Sequence, residues 1–322
     1  MSNSSAQPVL SVVVLCFNQE PFLARCLDSI LDQSLNVPFE IVVSDDASSD
    51  RSPLVAQMYA KRYPTRIRLI CHETNVGISR NYADAMDSAR GRYIAYIDGD
   101  DCMLPGKLQR QLDCLNENPA VGLVAHAMRA VDAVSGHEVA FHLPHHKPST
   151  FDAAYLVTHG PFFFHSSVMF RTDLRRRHQV DMSLKWVTDV ANLIQILADS
   201  SGCYLDDVLG VYRVNPNGIT STVITNPARN AAGLQDSLHT IDIAEGLGVP
   251  KGKGNVGRAR LLFHSAVLSL NAGFDGAFRD YIESSVRYAN LGAKQRFLYV
   301  LRRFPRSART LYDAAKRATR RK

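Results

Sequence analysis

Short apolar runs alternate with helical stretches through the first third of the chain. Short, mainly apolar and β-branched runs predict strands at residues 9–15, 40–44, 67–71 and 93–97. Apolar residues at helical spacing, or a proline at a first helical position, predict helices at residues 21–32, from 53, 79–89 and 105–116. Because strands and helices alternate, we expect an α/β fold whose mixed, mainly parallel sheet is flanked by helices.

The pattern changes in the second half of the chain. Further strands and one helix are predicted at residues 121–127, 166–170 and 187–198. The segment 132–150 is rich in His, Pro and polar residues and is interpreted as a loop or hairpin. Helical spacing then predicts helices at residues 231–246, 258–272 and 277–291. We therefore predict an α/β domain at residues 1–225 and a helical C-terminal region at residues 226–322.

Composition allows a globular protein and excludes several classes. The 322 residues are 46% hydrophobic, which is enough for a sizeable core. No apolar run approaches the roughly 20 residues that span a bilayer. The six cysteines form no Cys-x-x-Cys pair, which argues against a zinc site or a disulfide framework. Residues 1–7 are small and polar and lack the features of a signal peptide, so we expect a cytoplasmic protein.

Positive charge is concentrated at the end of the chain. From Gly292 to Lys322 there are eleven Lys or Arg and one acid, a net charge of +10, so with a total of +6 the rest carries −4. Phe, Leu and Val lie among these arginines, as in interfacial anchors. The tail is therefore interpreted either as a peripheral contact with an anionic membrane or as a solvated basic helix end. Nucleic acid is not expected, because interleaved aromatic residues and a nucleic-acid fold are missing.

The candidate chemistry begins where the fourth predicted strand ends. Asp98, Asp100 and Asp101 place three carboxylates within four residues, at the strand end where open α/β sheets bind ligands. Carboxylates this close repel one another unless a cation or solvent lies between them. Oxygen ligands suit Mg²⁺ or Mn²⁺, which commonly also bind substrate phosphates. The cluster is either such a cation and nucleotide site or an acidic turn that caps the next helix.

Several motifs occur in an order that resembles one known family. The first strand leads to Phe17-Asn18 rather than to a Gly-x-Gly-x-x-Gly turn, which argues against an NAD-type site. The motifs that follow are Asp45-Asp46-Ala47-Ser48-Ser49-Asp50, Asn75-Val76-Gly77-Ile78-Ser79-Arg80-Asn81 and Asp98-Gly99-Asp100-Asp101. Over residues 9–221 this order resembles glycosyltransferase family 2. The resemblance implies the GT-A fold and an inverting enzyme that uses a nucleotide sugar.

The resemblance also implies roles for the acidic residues. Asp100 would bind Mn²⁺ or Mg²⁺, and Asp98 would meet the cation or the ribose. Asp101 either supports these two residues or caps the next helix. Asp46, or its neighbour Asp45, resembles the position that hydrogen-bonds the base, which is often uracil in this family. A bound cation would neutralise charge on the departing diphosphate.

Four further residues are implied at the nucleotide. Phe17 either borders the base or packs as a core aromatic, and Asn18 belongs to the family's aromatic-Asn turn. Arg80 either pairs with phosphates, for which a guanidinium is suited, or ties the Asp-rich loops together as an ion pair. Arg213 lies in a segment that resembles a Tyr-Arg-x-His motif near the diphosphate. Asn215 replaces the usual His there, so a His-dependent contact is in doubt.

The acceptor-side residues are implied at the predicted helix 187–198. The family often carries Glu-Asp at this helix start; here Thr188 replaces the Glu and Asp189 is retained. Asp189 is either the general base that takes the acceptor proton or an ordinary helix-start Asp favoured by the helix dipole. Trp186 is a sugar platform or packs in the core. His165 serves the acceptor or the cation, or is structural.

These patterns predict an inverting glycosyltransferase that moves a sugar from a nucleotide-diphosphate donor, expected to be a UDP-sugar. Its acceptor would be a glycan or a lipid-linked hydroxyl, as in surface polysaccharide synthesis. The alternatives are a nucleotidyltransferase on a related α/β fold and a non-catalytic nucleic-acid or membrane-binding protein that uses the basic tail. His142, His145 and His146 lack a helix-bound ligand pattern and are interpreted as a solvated loop. The C-terminal helices are able to support self-association.

Overall fold

The computed structural model describes residues 7–141, 143, 147–216, 218, 221–222 and 226–319, without the side chains of residues 227 and 313–319. The chain divides into two compact units. One comprises Met1–Ala153 and Pro161–Gly233, and the other comprises Ala154–Gly160 and Leu234–Lys322. The predicted domain boundary between residues 225 and 226 stays a prediction. The three histidines 142, 145 and 146 lie outside the described residues.

The first unit is built on one mixed sheet. Its strands among the described residues are β1 (Leu10–Cys16), β2 (Phe39–Asp45), β3 (Ile67–Cys71), β4 (Tyr93–Asp98), β5 (Cys102–Met103), β6 (Val121–Asp132), β7 (Thr150–Phe151), β8 (Met169–Arg171) and β9 (Ser201–Val214). The order across the sheet is β3-β2-β1-β4-β8-β6-β9-β5, and β7 pairs with β9. Strands β3, β2, β1 and β4 are parallel, as are β6 and β9. The remaining pairs are antiparallel, so the predicted mixed sheet is confirmed.

Helices follow most strands, as the alternating pattern predicts. In chain order those of the described residues are α1 (Glu20–Leu31), α2 (Ser52–Arg62), α3 (Ile78–Ser88), α4 (Lys107–Glu117), α5 (Ala153–His159), α6 (Thr172–Arg175), α7 (Thr188–Leu197), α8 (Pro227–Gly246), α9 (Lys251–Ala272), α10 (Asp275–Tyr288), α11 (Ala293–Val300) and α12 (Pro305–Thr319). Short 3-10 helices lie at His165–Ser167 and Leu301–Arg303. The predicted helical C-terminal region is therefore confirmed.

The core of the first unit forms where apolar stripes of α1 and α4 meet the sheet. β1 is buried along its whole length, as expected for a central strand of a parallel sheet. The stripes repeat every three or four residues and comprise Leu23, Leu27, Ile30, Leu108, Leu112 and Leu115. Gly91 is needed before β4, because a Cβ there would lie 2.5 Å from the backbone nitrogen of Ser11. This packing fixes the strand ends that carry the site.

The second unit has a separate helical core. Ala266, Leu270, Phe278, Ile282, Leu298 and Ala308 are fully buried together. Leu298 and Ala308 belong to the basic tail, so the interpretation of the tail as a solvated helix end is wrong for these positions. Among the described residues, no helix combines the length and the apolar character that crossing a bilayer requires.

Candidate active site

Three adjacent parallel strands end at one edge of the sheet. The register pairs Cys16 at the end of β1 with Asp45 at the end of β2, and Leu15 with Asp98 at the end of β4. Open α/β sheets bind ligands at this edge. The predicted nucleotide-binding residues that it brings together are Phe17, Asn18, Asp45, Asp46 and Asp98.

The loops after β1 and β2 are tied to each other by hydrogen bonds. The Asn18 backbone N–H donates to Ser48 Oγ at 2.8 Å, and the Ser49 N–H donates to Asn18 Oδ1 at 2.8 Å. Asp45 accepts from the backbone N–H of Ser48 at 2.9 Å and from its hydroxyl at 2.6 Å. Asn18 (φ 52°) and Ala47 (φ 54°) both adopt left-handed backbone conformations in these loops. Asn18 therefore ties the two loops together, and Asp45 holds Ser48 in place within the second loop. Contact of Asn18 and Asp45 with a nucleotide stays a prediction.

Asp46 holds a third loop against the same edge. Its Oδ1 accepts from the Val76 N–H at 2.7 Å and its Oδ2 from the Gly77 N–H at 3.1 Å. Its backbone carbonyl accepts from Asn75 Nδ2 at 3.2 Å, and the residue is only 4% exposed. Sequence reasoning missed this structural role, because the donors are backbone amides 30 and 31 positions away. Contact of Asp46 with the base stays a prediction.

Two predicted nucleotide-binding residues lie at the surface. Phe17 is 47% exposed, so the alternative that it is a core aromatic is wrong. Arg80 forms an ion pair, with its Nε 2.9 Å from Asp84 Oδ1 one turn along α3. Its partner is thus on its own helix rather than in an Asp-rich loop. A role of Arg80 at the phosphates stays a prediction.

Asp98 is oriented by two hydroxyl groups. The Asp98 N–H donates to Ser166 Oγ at 3.0 Å, and the same hydroxyl donates to Asp98 Oδ2 at 3.2 Å. The Tyr96 hydroxyl donates to Asp98 Oδ1 at 2.5 Å. Burial raises the pKa of Asp98, and these hydrogen bonds oppose the shift. The carboxylate is therefore held in one orientation at the end of β4.

Asp100 and Asp101 add two further carboxylates to this strand end, where burial and neighbouring negative charge disfavour their ionised forms. Burial and the charge of Asp98 raise the pKa of Asp100 to about 7. Asp101 is fully buried, and burial raises its pKa well above the usual range. Its Oδ1 accepts from the Arg213 N–H at 2.8 Å, while Oδ2 has no hydrogen-bond partner among the described residues. Asp101 therefore anchors β9 and does not cap α4, whose start has no side-chain cap.

This carboxylate cluster fits a hard divalent cation only in part. Among the described residues, no three His, Cys, Asp or Glu side chains are grouped so that they could hold an ion by themselves. Mg²⁺ in nucleotide enzymes usually takes one or two carboxylates, with water and substrate phosphates completing its shell. The repulsion between Asp98 and Asp100 is the kind that a cation relieves. These two residues therefore fit a cation that is bound together with a phosphate ligand.

The donor-side and acceptor-side residues meet at His165. The His165 and Tyr96 ring centroids are 4.2 Å apart. Both ring nitrogens of His165 are buried and have no hydrogen-bond partner in the described part of the chain. Burial lowers the pKa of His165, and the charges of Asp189 and Asp98 oppose this shift. One buried imidazole therefore packs against the tyrosine that binds Asp98, and it lies within range of the charges of both Asp98 and the predicted base.

The start of α7 is held by hydrogen bonds to a serine on α3. Thr188 Oγ1 shares a hydrogen bond of 2.5 Å with Ser79 Oγ, and Ser79 also donates to the carbonyl of Leu184. Thr188 is only 3% exposed, so its hydroxyl positions the helix. Asp189 follows in the first turn and is half-buried. The contact of Thr188 with an acceptor stays a prediction.

Trp186 and Arg213 are both covered by other side chains. The guanidinium carbon of Arg229 lies 5.1 Å from the centroid of the Trp186 ring, so one face of this predicted sugar platform is occupied. Arg213 is buried, with its guanidinium carbon 5.1 Å from the centroid of Phe22 on α1. Arg213 Nη2 also lies 3.4 Å from Cys102 Sγ. The predicted roles of Trp186 and Arg213 stay predictions.

Comparisons with known proteins agree with the geometry. The sequence profile described as Glycosyl transferase family 2 matches residues 11–177, just over half of the chain. TuaG of Bacillus subtilis (strain 168), provisionally named as a teichuronic acid biosynthesis glycosyltransferase, is 27% identical over 218 residues, which are 67% of this chain and 82% of TuaG. Three mycobacterial relatives are 36% identical over 123 residues, and this chain spans 36% of their length.

Two solved structures share the fold. S. aureus TarS 1-349 in complex with UDP-GlcNAc has a TM-score of 0.67 and 18% identity, over 96% of this chain and 92% of that chain. Mannosyltransferase PcManGT from Pyrobaculum calidifontis in complex with GDP-Man and Mn²⁺ has a TM-score of 0.59 and 18% identity, over 96% and 88%. The predicted GT-A fold is thereby confirmed. The profile match over more than half of its length shows that the chain belongs to glycosyltransferase family 2.

Proposed function

We propose that this protein is an inverting, cation-dependent glycosyltransferase that moves a sugar from a nucleotide-diphosphate donor to an acceptor hydroxyl. The observation that carries the proposal is the packing of the buried His165 ring against Tyr96, whose hydroxyl binds Asp98, within range of the charge of Asp189 at the start of α7. A donor held at the strand edge and an acceptor held at α7 would thus meet across one buried ring. Membership in the family supports the same reaction class.

The donor side is assigned to Asp98, Asp100 and the loops at the sheet edge. Asp98 and Asp100 would hold Mn²⁺ or Mg²⁺, which when bound neutralises charge on the leaving diphosphate. PcManGT is solved with a nucleotide sugar and Mn²⁺, and TarS with UDP-GlcNAc, which supports a nucleotide-sugar donor. We place a UDP-sugar first among the donors to be tested. The clamps made by Asp45 and Asp46 would hold the loops around it.

Asp189 is assigned the proton transfer. A half-buried carboxylate in the first turn of α7 would accept the proton of the acceptor hydroxyl as that oxygen attacks the anomeric carbon. The bond from this carbon to the diphosphate oxygen breaks on the opposite face, so the configuration inverts. No covalent enzyme intermediate is required. His165, beside both carboxylates, would position the acceptor or Asp98.

The acceptor is proposed to be a glycan or a lipid-linked hydroxyl. TuaG is named for teichuronic acid biosynthesis, which supports this class. In the second unit, Val300 (70% exposed), Phe304 (65%) and Leu311 (49%) present apolar side chains among arginines. Such a surface suits a peripheral contact with an anionic membrane. Two of these arginines, however, form hydrogen bonds within the second unit. Arg302 donates to Glu283 at 2.8 Å, and Arg309 donates to the Leu270 carbonyl at 2.6 Å.

The test of the proposal is Asp189→Asn, assayed by release of the nucleoside diphosphate. We expect donor binding to be kept and transfer to fall by about 10²–10⁴-fold, the usual contribution of a positioned proton acceptor. Asp275→Asn is the matched control, since Asp275 also lies in the first turn of a helix. This control should keep full transfer. Unchanged turnover in Asp189→Asn would remove Asp189 from the mechanism, and release of pyrophosphate would favour the nucleotidyltransferase alternative.

A further inference from the structure

A small cavity lies beside the carboxylate cluster, on the side of the sheet that faces α1. It has a volume of about 200 Å³, and its lining comprises Arg25, Cys102, Arg129, Val131, Gly136, Glu138, Val211 and Arg213. The floor is apolar, because Cys102, Val131 and Val211 pack together there. The lining also includes three guanidinium groups and one carboxylate, a formal local charge of +2.

The three arginines come from separate elements. Arg25 lies on α1, Arg129 on β6 and Arg213 on β9. Side chains two residues apart on a strand share a face. Arg129 therefore lines the cavity together with Val131, and Arg213 together with Val211. The fold thus gathers three positive groups around one space.

Two of these three positive groups have no partner within the described residues, whereas the charge of Arg213 also acts on Asp100. Arg25 and Arg129 are exposed, and their side chains make no ion pair or hydrogen bond with any residue that the structure describes. Arg213 is only 8% exposed, and its Nε is buried without a hydrogen-bond partner among the described residues. A buried donor without a partner is costly, and native proteins usually supply one. The surplus is local, since residues 1–291 carry a net charge of −4.

We propose that this cavity is a binding site for a phosphate or diphosphate group, held by Arg25, Arg129 and Arg213 without a cation. A guanidinium presents a planar fork of donors that matches phosphate oxygens. Glu138 at the rim weakens the site. The proposal rests on the proposed function at Arg213, which is predicted to lie near the donor diphosphate, and it adds Arg25 and Arg129, which no sequence motif indicates. Binding here requires neither Asp100 nor a metal ion. The group belongs either to a soluble phosphate compound or to a lipid phosphate, and the experiment separates the two.

The test is a titration of the full chain with inorganic pyrophosphate in EDTA at low ionic strength. Wild type should bind at one site, and Arg25→Gln with Arg129→Gln should weaken binding at least about tenfold, as expected when charged hydrogen bonds are lost. Arg90→Gln is the matched control, since the Arg90 side chain is exposed and lies at the opposite edge of the sheet, before β4. Glu138→Gln should strengthen binding, and this variant keeps the test valid if the double variant does not fold.

Two further arms identify the source of the phosphate. The same proteins are titrated with UDP in EDTA and with nanodiscs that contain phosphatidic acid. A loss of affinity in the double variant with either ligand supports the site and names its source. Absence of binding in wild type, or equal affinities of wild type and the double variant for all three ligands, overturns it. Asp100→Asn should not weaken pyrophosphate binding, which keeps this result separate from a failure of the proposed transfer reaction.

Discussion

Two acidic clusters lie at the same sheet edge and differ in how completely their polar atoms are hydrogen-bonded. Asp45 and Asp46 follow β2, and their oxygens accept hydrogen bonds from Ser48, Val76 and Gly77. The cluster after β4 is left incomplete. Asp101 Oδ2 and both nitrogens of His165 are buried without a partner among the described residues, and the pKa of Asp100 is raised by burial and by Asp98.

The contrast separates structural from functional carboxylates. Buried polar groups are normally hydrogen-bonded, because an unpaired one costs about 1–3 kcal/mol. The first cluster follows this rule and fixes three loops. The second breaks it, and in the proposed reaction a nucleotide, a cation and an acceptor hydroxyl would supply the missing partners. We therefore propose that the same residue type serves as a clamp at one strand end and as a binding site at the neighbouring one.

The largest expected effect is on cation-dependent donor binding. Asp100→Asn keeps the size of the side chain but removes a proposed cation ligand. Since loss of an outer partner of a metal already costs 10–100-fold in affinity, we expect loss of the ligand to cost more than about 100-fold. Calorimetry with UDP in the presence and absence of Mn²⁺ measures this effect. Equal Mn²⁺ dependence in wild type and variant would show that Asp100 does not bind the cation.

An Asp→Asn substitution should change the free energy of unfolding in opposite directions in the two clusters. Asp46→Asn turns one accepting oxygen into an amide that faces the Val76 or Gly77 N–H, so the free energy of unfolding should fall by about 1–3 kcal/mol. Asp100→Asn, without cation, removes repulsion with Asp98 and should raise it by about 1 kcal/mol or more. Urea unfolding at pH 8 compares the two variants. If the free energy of unfolding falls by a similar amount in both variants, the two clusters do not differ in the way proposed here.

The smallest effect is expected at His165. His165→Phe keeps a ring against Tyr96 and removes the two unpaired nitrogens. We expect folding stability to be unchanged or higher and transfer to fall by about tenfold, less than for a residue that moves the proton. If the ring positions the acceptor, KM for the acceptor rises; if it positions Asp98, KM for the donor rises. Wild-type values of both constants would make His165 a packing residue only.

The fold was predictable where burial is regular. β1 to β4 follow mainly apolar runs, and Asp98 comes at the end of β4 as expected. β9 is not predicted, because Asp206 and Asp207 break its apolar pattern. Both are exposed at an irregularity where the pairing of β9 with β6 shifts between His126 and Ala127. The predicted strand at residues 166–170 is shortened, since His165–Ser167 forms a 3-10 helix that carries Ser166 to Asp98.

The site was predictable in its residue types and not in its hydrogen bonds. Motifs place Asp98, Asp100 and Asp189 in the chain, but no local pattern reveals that Asp46 is bound to amides 30 positions away. The cavity lined by Arg25 and Arg129 could not be predicted from the sequence either, because its arginines come from elements that are distant in the chain. The tail shows the same limit. Its charge predicts a free basic segment, whereas Leu298 is packed into the second core.

The most direct measurement of the central claim is anomalous diffraction from crystals grown with Mn²⁺ and a UDP-sugar. We predict an Mn²⁺ peak within bonding distance of Asp100, shared with the diphosphate, and the sugar between that peak and Asp189. An Mn²⁺ peak and a diphosphate away from both Asp98 and Asp100, with the sugar remote from Asp189, would contradict the account.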